Sequence, residues 1–280
     1  IRNDAHVKQG HVSASTSGTG IIIPLYTYPG STWAEVVAVA KSNKHVPIMA
    51  IVNPNSGPGT RQDGNYISGI SYLQSAGVTV LGYVPTGYAS RSISDVRASV
   101  GLYKRWYPVD GIFFDEMPNA SGQEGYCSAL GDHAKSLGFT RTVGNPGAPV
   151  PASYVGTLDT LVIYEGRGLP SLSLLRSWRY DEVKSKFAVI AYGVDDLEKS
   201  YLSEASPYLG YVYVTNAGLP NAYVVLPPYL ASIAEALECA DRIPIEDSAG
   251  SWHAKRGMHA SGPKGTRRLF QRVNIRKIIL

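Results

Sequence analysis

The chain has 280 residues, of which 44% are hydrophobic and 17% charged, a composition that excludes an intrinsically disordered or fibrous protein. Its length suits one domain of about 200 to 250 residues or two smaller ones. The sequence contains no run of about eighteen apolar residues, so we expect no transmembrane helix. The net charge is only +4, and much of the positive excess follows residue 250, which argues against a nucleic-acid-binding surface on the body of the protein.

From about residue 20, short β-branched or aromatic runs alternate with segments of helical periodicity. Such alternation is typical of a parallel sheet covered by helices. Ser31 is expected to cap the first helix, and Gly77 and Gly138 to end the second and the fourth. The predicted strands are 20–28, 47–54, 79–86, 111–116, 141–147, 160–166, 187–193 and 210–218.

Each predicted strand is followed by a helical segment, which is short after the fifth strand, near Ala152. Eight such pairs in about 220 residues predict a (β/α)₈ TIM-type barrel rather than an open doubly wound sheet. No GxGxxG follows the first strand and no GxxxxGK[ST] occurs, so we expect no dinucleotide cofactor or Walker-type phosphate site.

The barrel is predicted to occupy residues 20–240 as a single domain. Residues 1–19 are polar and rich in Ser and Gly, and we expect them to be disordered. Residues 241–280 are rich in Gly, Ser and basic side chains and are predicted to form a flexible basic tail. Cys127 and Cys239 fall on different predicted helices, and we expect two unpaired thiols.

Polar or tyrosyl residues stand at the carboxyl end of every predicted strand, whereas the strand starts are mostly aliphatic. In a (β/α)₈ barrel these ends and the loops after them form the binding site. Tyrosine has a flat apolar face and a polar tip that suit sugar rings, and asparagine can fix sugar hydroxyls. Core packing remains the alternative for each tyrosine. The candidate substrate-binding residues are Tyr26, Tyr28, Asn53, Tyr83, Tyr88, Asn145, Tyr164, Tyr192 and Asn216.

Three carboxylates are the candidate catalytic residues. Asp115 and Glu116 end the fourth strand, and because side chains alternate along a strand, one of them must face the barrel mouth. Glu165 follows two strands later, so that a carboxylate pair can flank one sugar ring. Glycosidic cleavage needs such a pair, one group to protonate the leaving oxygen and one to attack the anomeric carbon or activate water.

Other readings of these acids stay open. They could be capping or salt-bridging residues of the rim, or Asp115 and Glu116 could hold Mg²⁺ or Ca²⁺ in a metal-assisted hydrolase. None of the six histidines ends a strand, which leaves a histidine metal centre or a Ser-His-Asp triad without support. We therefore expect neither a metal nor a cofactor.

Six motifs resemble, in order and spacing, the spherulation-specific (spherulin 4-like) family: IPLYTYPG (23–30), IVNPNSGPG (51–59), LGYVPTGYASR (81–91), VDGIFFDE (109–116), GNPG (144–147) and IYEG (163–166). That family resembles the fungal endo-α-1,4-galactosaminidases of glycoside hydrolase family 135. The resemblance implies a (β/α)₈ barrel, a secreted or cell-surface protein, and acidic active-site positions at Asp115, Glu116 and Glu165. Family members often carry an aspartate after the sixth-strand glutamate, where this chain has Gly166 and then Arg167.

A chitinase-like DxxDxDxE pattern would require acids at positions occupied by Phe113 and Met117, which disfavours a substrate-assisted mechanism. The sequence thus predicts an endo-acting glycoside hydrolase that cleaves a galactosaminogalactan-like amino-sugar polysaccharide. By analogy with α-galactosidase-like barrels, Asp115 would be the nucleophile and Glu165 the general acid/base. Glu116 would tune the site, or replace Asp115 if the strand faces the other way.

The stereochemical outcome stays open at this point. The alternative function is a non-catalytic carbohydrate-binding or cell-coat protein on the same barrel. A polysaccharide is the expected partner of a monomeric protein, with neither nucleic acid nor a membrane span involved.

Overall fold

The computed structural model describes residues 18–178 and 183–241. Within them, eight parallel strands close into a barrel in chain order, and the last strand pairs with the first. The predicted (β/α)₈ TIM-type barrel is confirmed. The strands are β1 (Gly20–Leu25), β2 (Ile48–Val52), β3 (Thr79–Pro85), β4 (Gly111–Asp115), β5 (Arg141–Gly144), β6 (Thr160–Arg167), β7 (Phe187–Tyr192) and β8 (Tyr211–Val214).

Helices connect the strands on the outside of the barrel, except after β5, where a single 3₁₀ turn at Ala152–Tyr154 takes the place of a helix. A second 3₁₀ turn, Lys184–Lys186, precedes β7. The helices are α1 (Ser31–Ser42), α2 (Gly64–Ser75), α3 (Ile93–Trp106), α4 (Glu124–Ser136), α5 (Leu172–Ser177), α6 (Lys199–Ala205) and α7 (Leu230–Asp241).

Several predicted boundaries were wrong. Strands β1, β5 and β8 end three or four residues before the predicted positions, because the residues that follow leave the ladder and enter bends and irregular loops. Ser31 is the first residue of α1 and makes no capping bond, with Gly30 at the N-cap instead. Gly77 and Gly138 adopt the positive φ that lets glycine end a helix, as predicted.

The predicted terminal segments fall almost entirely outside the described residues. Thr19 is an exception to the predicted disorder, since it is buried and its hydroxyl donates to the carbonyls of Ser206 and Leu209. The ordered chain therefore begins before residue 20. None of the helices in the described ranges combines the length and the apolar character needed to cross a bilayer.

The barrel strands are buried on both faces, one by the barrel interior and one by the helices, which explains their nearly continuous apolar sequences. Helix α3 approaches β3 closely at Gly82. A Cβ atom there would lie 2.6 Å from the ring of Tyr103, so only glycine allows this contact. Cys127 is buried, Cys239 is exposed, and both are unpaired, which confirms that prediction.

Strand β6 contains an irregularity that decides where its carboxylate points. Leu161 and Val162 pair with Phe187 and Ala188, but the next paired residue is Tyr164, opposite Val189. Ile163 is thus an extra residue, a β-bulge. A bulge reverses the facing of every side chain that follows it in the strand.

Candidate active site

Asp115 is the last residue of β4, and its side chain is buried at the mouth of the barrel. It shares a strand face with Phe113, whose ring stacks on Tyr83 at 6.3 Å. The hydroxyl of Tyr83 is hydrogen-bonded to Asp115. Burial, together with the charge of Asp115 and this bond, raises the pKa of Tyr83 far above its usual value, so the tyrosine remains a neutral donor.

Glu165 reaches the same space from β6 because of the bulge. Leu161 pairs with Gly144 on β5, and the two residues face the same side of the sheet. Asn145, which follows Gly144, faces the other side, where its side chain binds the carboxylates. Four residues of strict alternation would put Glu165 on the side of Leu161. The extra residue Ile163 turns Glu165 toward the mouth instead.

One nitrogen atom joins the two carboxylates. The side-chain Nδ2 of Asn145 donates to Oδ1 of Asp115 at 2.8 Å and to Oε2 of Glu165 at 2.5 Å. The two accepting oxygens therefore lie at most 5.3 Å apart, the sum of these distances. This places them within the reach of a single glycosidic bond.

The orientation of the Asn145 amide follows from its neighbours. Two carboxylates can only accept hydrogen bonds when ionised, so the NH₂ group and not the carbonyl must face them. Asn145 itself is buried, and its Oδ1 finds no hydrogen-bond partner among the described residues. Both donor hydrogens of Asn145 are used on Asp115 and Glu165, which leaves its Oδ1 to accept from a sugar hydroxyl, and the predicted binding role of Asn145 stays a prediction.

A cluster of three tyrosines supports the pair on the side opposite to Asn145. The ring of Tyr26 makes edge contacts with Tyr83 at 5.6 Å and with Tyr223 at 5.7 Å. The hydroxyl of Tyr223 donates to Oε1 of Glu165 at 2.6 Å. Burial and the charges of the two carboxylates raise the pKa of Tyr26 and of Tyr223 well above the usual value. Asp115, Tyr83, Tyr26, Tyr223, Glu165 and Asn145 thus form a closed ring of contacts.

Tyr223 was missed by the sequence prediction. It lies in the irregular connection between β8 and α7, nine positions after Val214, the last residue of β8. Its backbone carbonyl accepts from the amide of Tyr26, which fixes the loop against the end of β1. The predicted binding residues all lie at strand ends or directly after them, whereas Tyr223 lies deep in a loop, and such loops also contribute to barrel sites.

Glu116 occupies a different part of the mouth. Its backbone has φ of 54°, which is uncommon for a residue with a side chain, and its carbonyl accepts from Thr86 Oγ1 at 2.7 Å and the Tyr88 amide at 2.6 Å. Its charge contributes, after burial, to a raised pKa of Tyr88. Asp115, and not Glu116, shares Asn145 with Glu165.

Two predicted binding tyrosines are exposed on the rim. Tyr88 is 59% exposed and lies in a left-handed turn after β3, and Tyr28 is 56% exposed after β1. The Tyr28 hydroxyl donates to Asp63 and accepts from Asn65 Nδ2. Their exposed rings are available to sugar units outside the carboxylate pair.

The remaining predicted binding residues are more dispersed. Asn53 uses its Oδ1 to accept from the Gly57 amide at 2.9 Å, which shapes the loop after β2. Tyr192, at the end of β7, is half-buried, and burial and the charge of Glu165 raise its pKa. Asn216 is exposed in the loop after β8. Binding roles for these residues stay predictions.

Tyr164 turns away from the carboxylates, because the bulge gives it the facing opposite to Glu165. Its hydroxyl bonds to the carbonyls of Arg167 and Gly168 at 3.1 and 2.9 Å. A Cβ atom on Gly166 would lie 2.8 Å from its ring. A side chain at position 166 would therefore meet the ring of Tyr164 as it is placed in this chain.

No group of three or more His, Cys, Asp or Glu side chains in the part of the chain that the structure describes is arranged to hold a metal ion. The donor set around Asp115 and Glu165 consists of an amide and hydroxyl groups instead. Such donors stabilise ionised carboxylates by direct hydrogen bonds.

Comparison with known proteins identifies relatives of this chain by sequence and by structure. The profile of the Spherulation-specific family 4 matches residues 20–237. Spherulin-4 of Physarum polycephalum is 32% identical over 243 aligned residues, covering 81% of this chain and 73% of that protein.

Among solved structures, Sph3 of Aspergillus clavatus in complex with GalNAc superposes with a TM-score of 0.72. It is 27% identical to this chain, and the match covers 79% of this chain and 98% of Sph3. A putative fructose-1,6-bisphosphate aldolase from Coccidioides immitis has a TM-score of 0.50 at 13% identity, covering 80% of this chain and 89% of its own. The second likeness reflects the shared barrel fold alone.

Proposed function

The chain belongs to the Spherulation-specific family 4, and we propose that it is an endo-acting glycoside hydrolase that cleaves a galactosaminogalactan-like amino-sugar polysaccharide. The observation that carries the proposal is the pair of carboxylates, Asp115 and Glu165, held by one amide nitrogen at the mouth of the barrel. A pair at this spacing is the chemical requirement for cleaving a glycosidic bond.

The choice of substrate rests on similarity. Sph3, which matches this chain over 98% of the length of Sph3, was crystallised with GalNAc. A polymer containing this amino sugar is the natural first substrate to test. From the same resemblance we propose a secreted or cell-surface protein that acts as a monomer.

In the proposed mechanism, Asp115 attacks the anomeric carbon while Glu165 gives its proton to the leaving glycosidic oxygen. The ionised Glu165 then removes a proton from water, and the resulting hydroxide displaces Asp115 from the sugar. Asp115 suits the nucleophile because it is buried on a strand and accepts hydrogen bonds from Tyr83 and Asn145, which stabilise its charged form.

The short separation supports retention of configuration. Carboxyl groups of retaining glycosidases lie roughly 5 to 5.5 Å apart, whereas inverting enzymes need roughly 6.5 to 9.5 Å to fit a water molecule. The nearest oxygens of Asp115 and Glu165 lie no more than 5.3 Å apart, and this close approach favours the retaining class.

The exposed tyrosines suit an endo-acting enzyme. Tyr28 and Tyr88 lie on the loops after β1 and β3, outside the buried pair, where sugar units on either side of the cleaved bond would contact them. Aromatic faces of this kind stack on sugar rings. Tyr192 at the end of β7 and Asn216 after β8 extend the proposed binding surface along the other side of β1.

The proposal is tested by incubating the protein with partially deacetylated galactosaminogalactan, with chitosan as a comparison polymer, and reading the products by mass spectrometry. We expect a series of amino-sugar oligosaccharides from the first polymer and none with the Asp115→Asn variant. Binding of the polymer without release of any product would instead identify a carbohydrate-binding or cell-coat protein.

A further inference from the structure

The two oxygens of Glu165 have chemically different partners. Oε2 accepts from the amide nitrogen of Asn145 at 2.5 Å, and Oε1 accepts from the hydroxyl of Tyr223 at 2.6 Å. We propose that Oε1 is the oxygen that carries the catalytic proton and that Tyr223 is the positioning residue that keeps it there. This inference rests on the proposed hydrolase function.

The two partners of Glu165 differ in what they can do. An amide NH₂ can only donate, and the hydroxyl oxygen of a protonated carboxyl is a poorer acceptor than its carbonyl oxygen, so the bond from Asn145 favours Oε2 as the carbonyl oxygen when Glu165 is protonated. A hydroxyl can donate or accept. Tyr223 can therefore keep its hydrogen bond to Oε1 in both states, by turning its own hydrogen away when Oε1 becomes protonated. The proton consequently binds at Oε1.

Tyr223 is held firmly enough for this role. Its ring contacts Tyr26 edge-on and lies 6.5 Å from the ring of Tyr213, and its backbone carbonyl accepts from the amide of Tyr26. Burial, with the charge of Glu165, raises the pKa of its hydroxyl well above the usual value, so Tyr223 stays neutral throughout the working range of pH.

Other titratable groups lie around Glu165 on the surrounding strands. The groups on β4 and directly after it are acidic, the group at the end of β6 is basic, and the others are neutral tyrosines. These groups are Asp115, Glu116, Arg167, Tyr26, Tyr83, Tyr88 and Tyr192. A change at Tyr223 leaves all of them in place.

The proton balance of the reaction fits this arrangement. When the glycosidic bond breaks, the hydrogen on Oε1 turns from the oxygen of Tyr223 to the leaving oxygen and is transferred to it, and the hydroxyl of Tyr223 turns to donate to the ionised Oε1. When water attacks the glycosyl-Asp115 ester, Oε1 takes one proton from that water and the hydroxyl turns back. Glu165 and Tyr223 end the cycle in their starting states.

The test is Tyr223→Phe, which removes the hydroxyl and keeps the ring. Without its donor, ionised Glu165 is less stable relative to the protonated form, so the alkaline limb of the kcat/KM pH profile should move to higher pH by about one unit. We expect kcat to fall about tenfold or more and KM to change less than twofold. Tyr213→Phe, which removes a neighbouring buried hydroxyl, should leave the profile unchanged.

A second variant should shift the pH profile in the opposite direction, so that a folding defect cannot account for both results. Incorporation of 3-fluorotyrosine at position 223 keeps the shape of the side chain and strengthens its hydroxyl as a donor. The alkaline limb should then move to lower pH. Unchanged limbs in both variants, with an active wild-type enzyme, would overturn the inference, whereas an inactive wild-type enzyme would overturn the proposed function itself.

Discussion

The nearest carboxylate oxygens of Asp115 and Glu165 lie no more than 5.3 Å apart, because both accept from the same nitrogen of Asn145. Two negative charges at this distance repel each other, and the repulsion is offset by the hydrogen bonds that the surrounding amide and tyrosines provide. Bringing the two acids together therefore costs folding free energy, and substituting either one tests both this cost and the proposed chemistry.

Asp115→Asn and Glu165→Gln should each lower turnover of the polysaccharide by at least about a hundredfold, because each removes one of the two groups that the chemistry requires. The unfolding temperature should stay the same or rise, since each change also removes a repelling charge. Both quantities can be followed on one preparation by product release and thermal denaturation.

Asp132→Asn serves as the matched control for these two variants. Asp132 is exposed on α4, away from the mouth of the barrel, so its loss of charge should affect neither turnover nor stability appreciably. Wild-type rates in both Asp115→Asn and Glu165→Gln would show that the carboxylate pair is not the catalytic centre.

Cleavage should retain the configuration at the anomeric carbon, because the spacing leaves room for a direct attack by Asp115 and not for an interposed water. Proton NMR of the first products, recorded before mutarotation, measures this directly. An initial product with inverted configuration would argue against Asp115 as nucleophile.

The sequence was sufficient to predict the barrel and the strands that carry the acids. Eight apolar runs separated by helical segments admit few other folds, and in this fold the carboxyl ends of the strands converge. Asp115 and Glu165 could therefore be placed at the same mouth from their positions in the chain alone. The recognised family motifs pointed to the same residues.

The local geometry could not be predicted from the sequence. Strict alternation along β6 would have turned Glu165 toward the helices, and nothing in the segment TLVIYEG marks Ile163 as a bulge. A sequence pattern does not show that two carboxylates take up both amide hydrogens of Asn145. Tyr223 reaches Glu165 from an irregular loop, for which periodicity gives no signal.

Gly166→Ala should lower the free energy of unfolding by about 1–3 kcal/mol, because the new Cβ atom would lie 2.8 Å from the ring of Tyr164. Tyr164 cannot move aside without losing its bonds to the carbonyls of Arg167 and Gly168. Urea denaturation measures the effect, and a Tyr164→Ala background should remove most of it.

Gly101→Ala is the control for that experiment. Gly101 lies within α3, where a Cβ atom would meet nothing within 4 Å, so alanine should stabilise the protein by up to about 1 kcal/mol through its helix propensity. An equal gain from Gly166→Ala would contradict the proposed contact with Tyr164.

The stability of the barrel should depend on pH through Asp159. Its Oδ2 accepts from Lys135 Nζ at 2.5 Å and from the amide and hydroxyl of Thr142 at 2.8 and 3.1 Å, joining α4 and β5. Burial opposes the charge of Asp159, but these hydrogen bonds outweigh it and lower the pKa of the carboxyl below its usual value. A lowered pKa means that the unfolded chain takes up the proton first as the pH falls.

The stabilisation by Asp159 is therefore complete at neutral pH and is lost as the pH drops through the acidic range, below about 4. Asp159→Asn should cost about 1–2 kcal/mol at pH 7, a modest value because Lys135 and Asp159 are both partly exposed and the pair is screened. Urea titrations of the two proteins at several pH values measure the difference, which should shrink toward pH 3. A difference that stays constant between pH 7 and pH 3 would show that the charge of Asp159 does not stabilise the fold.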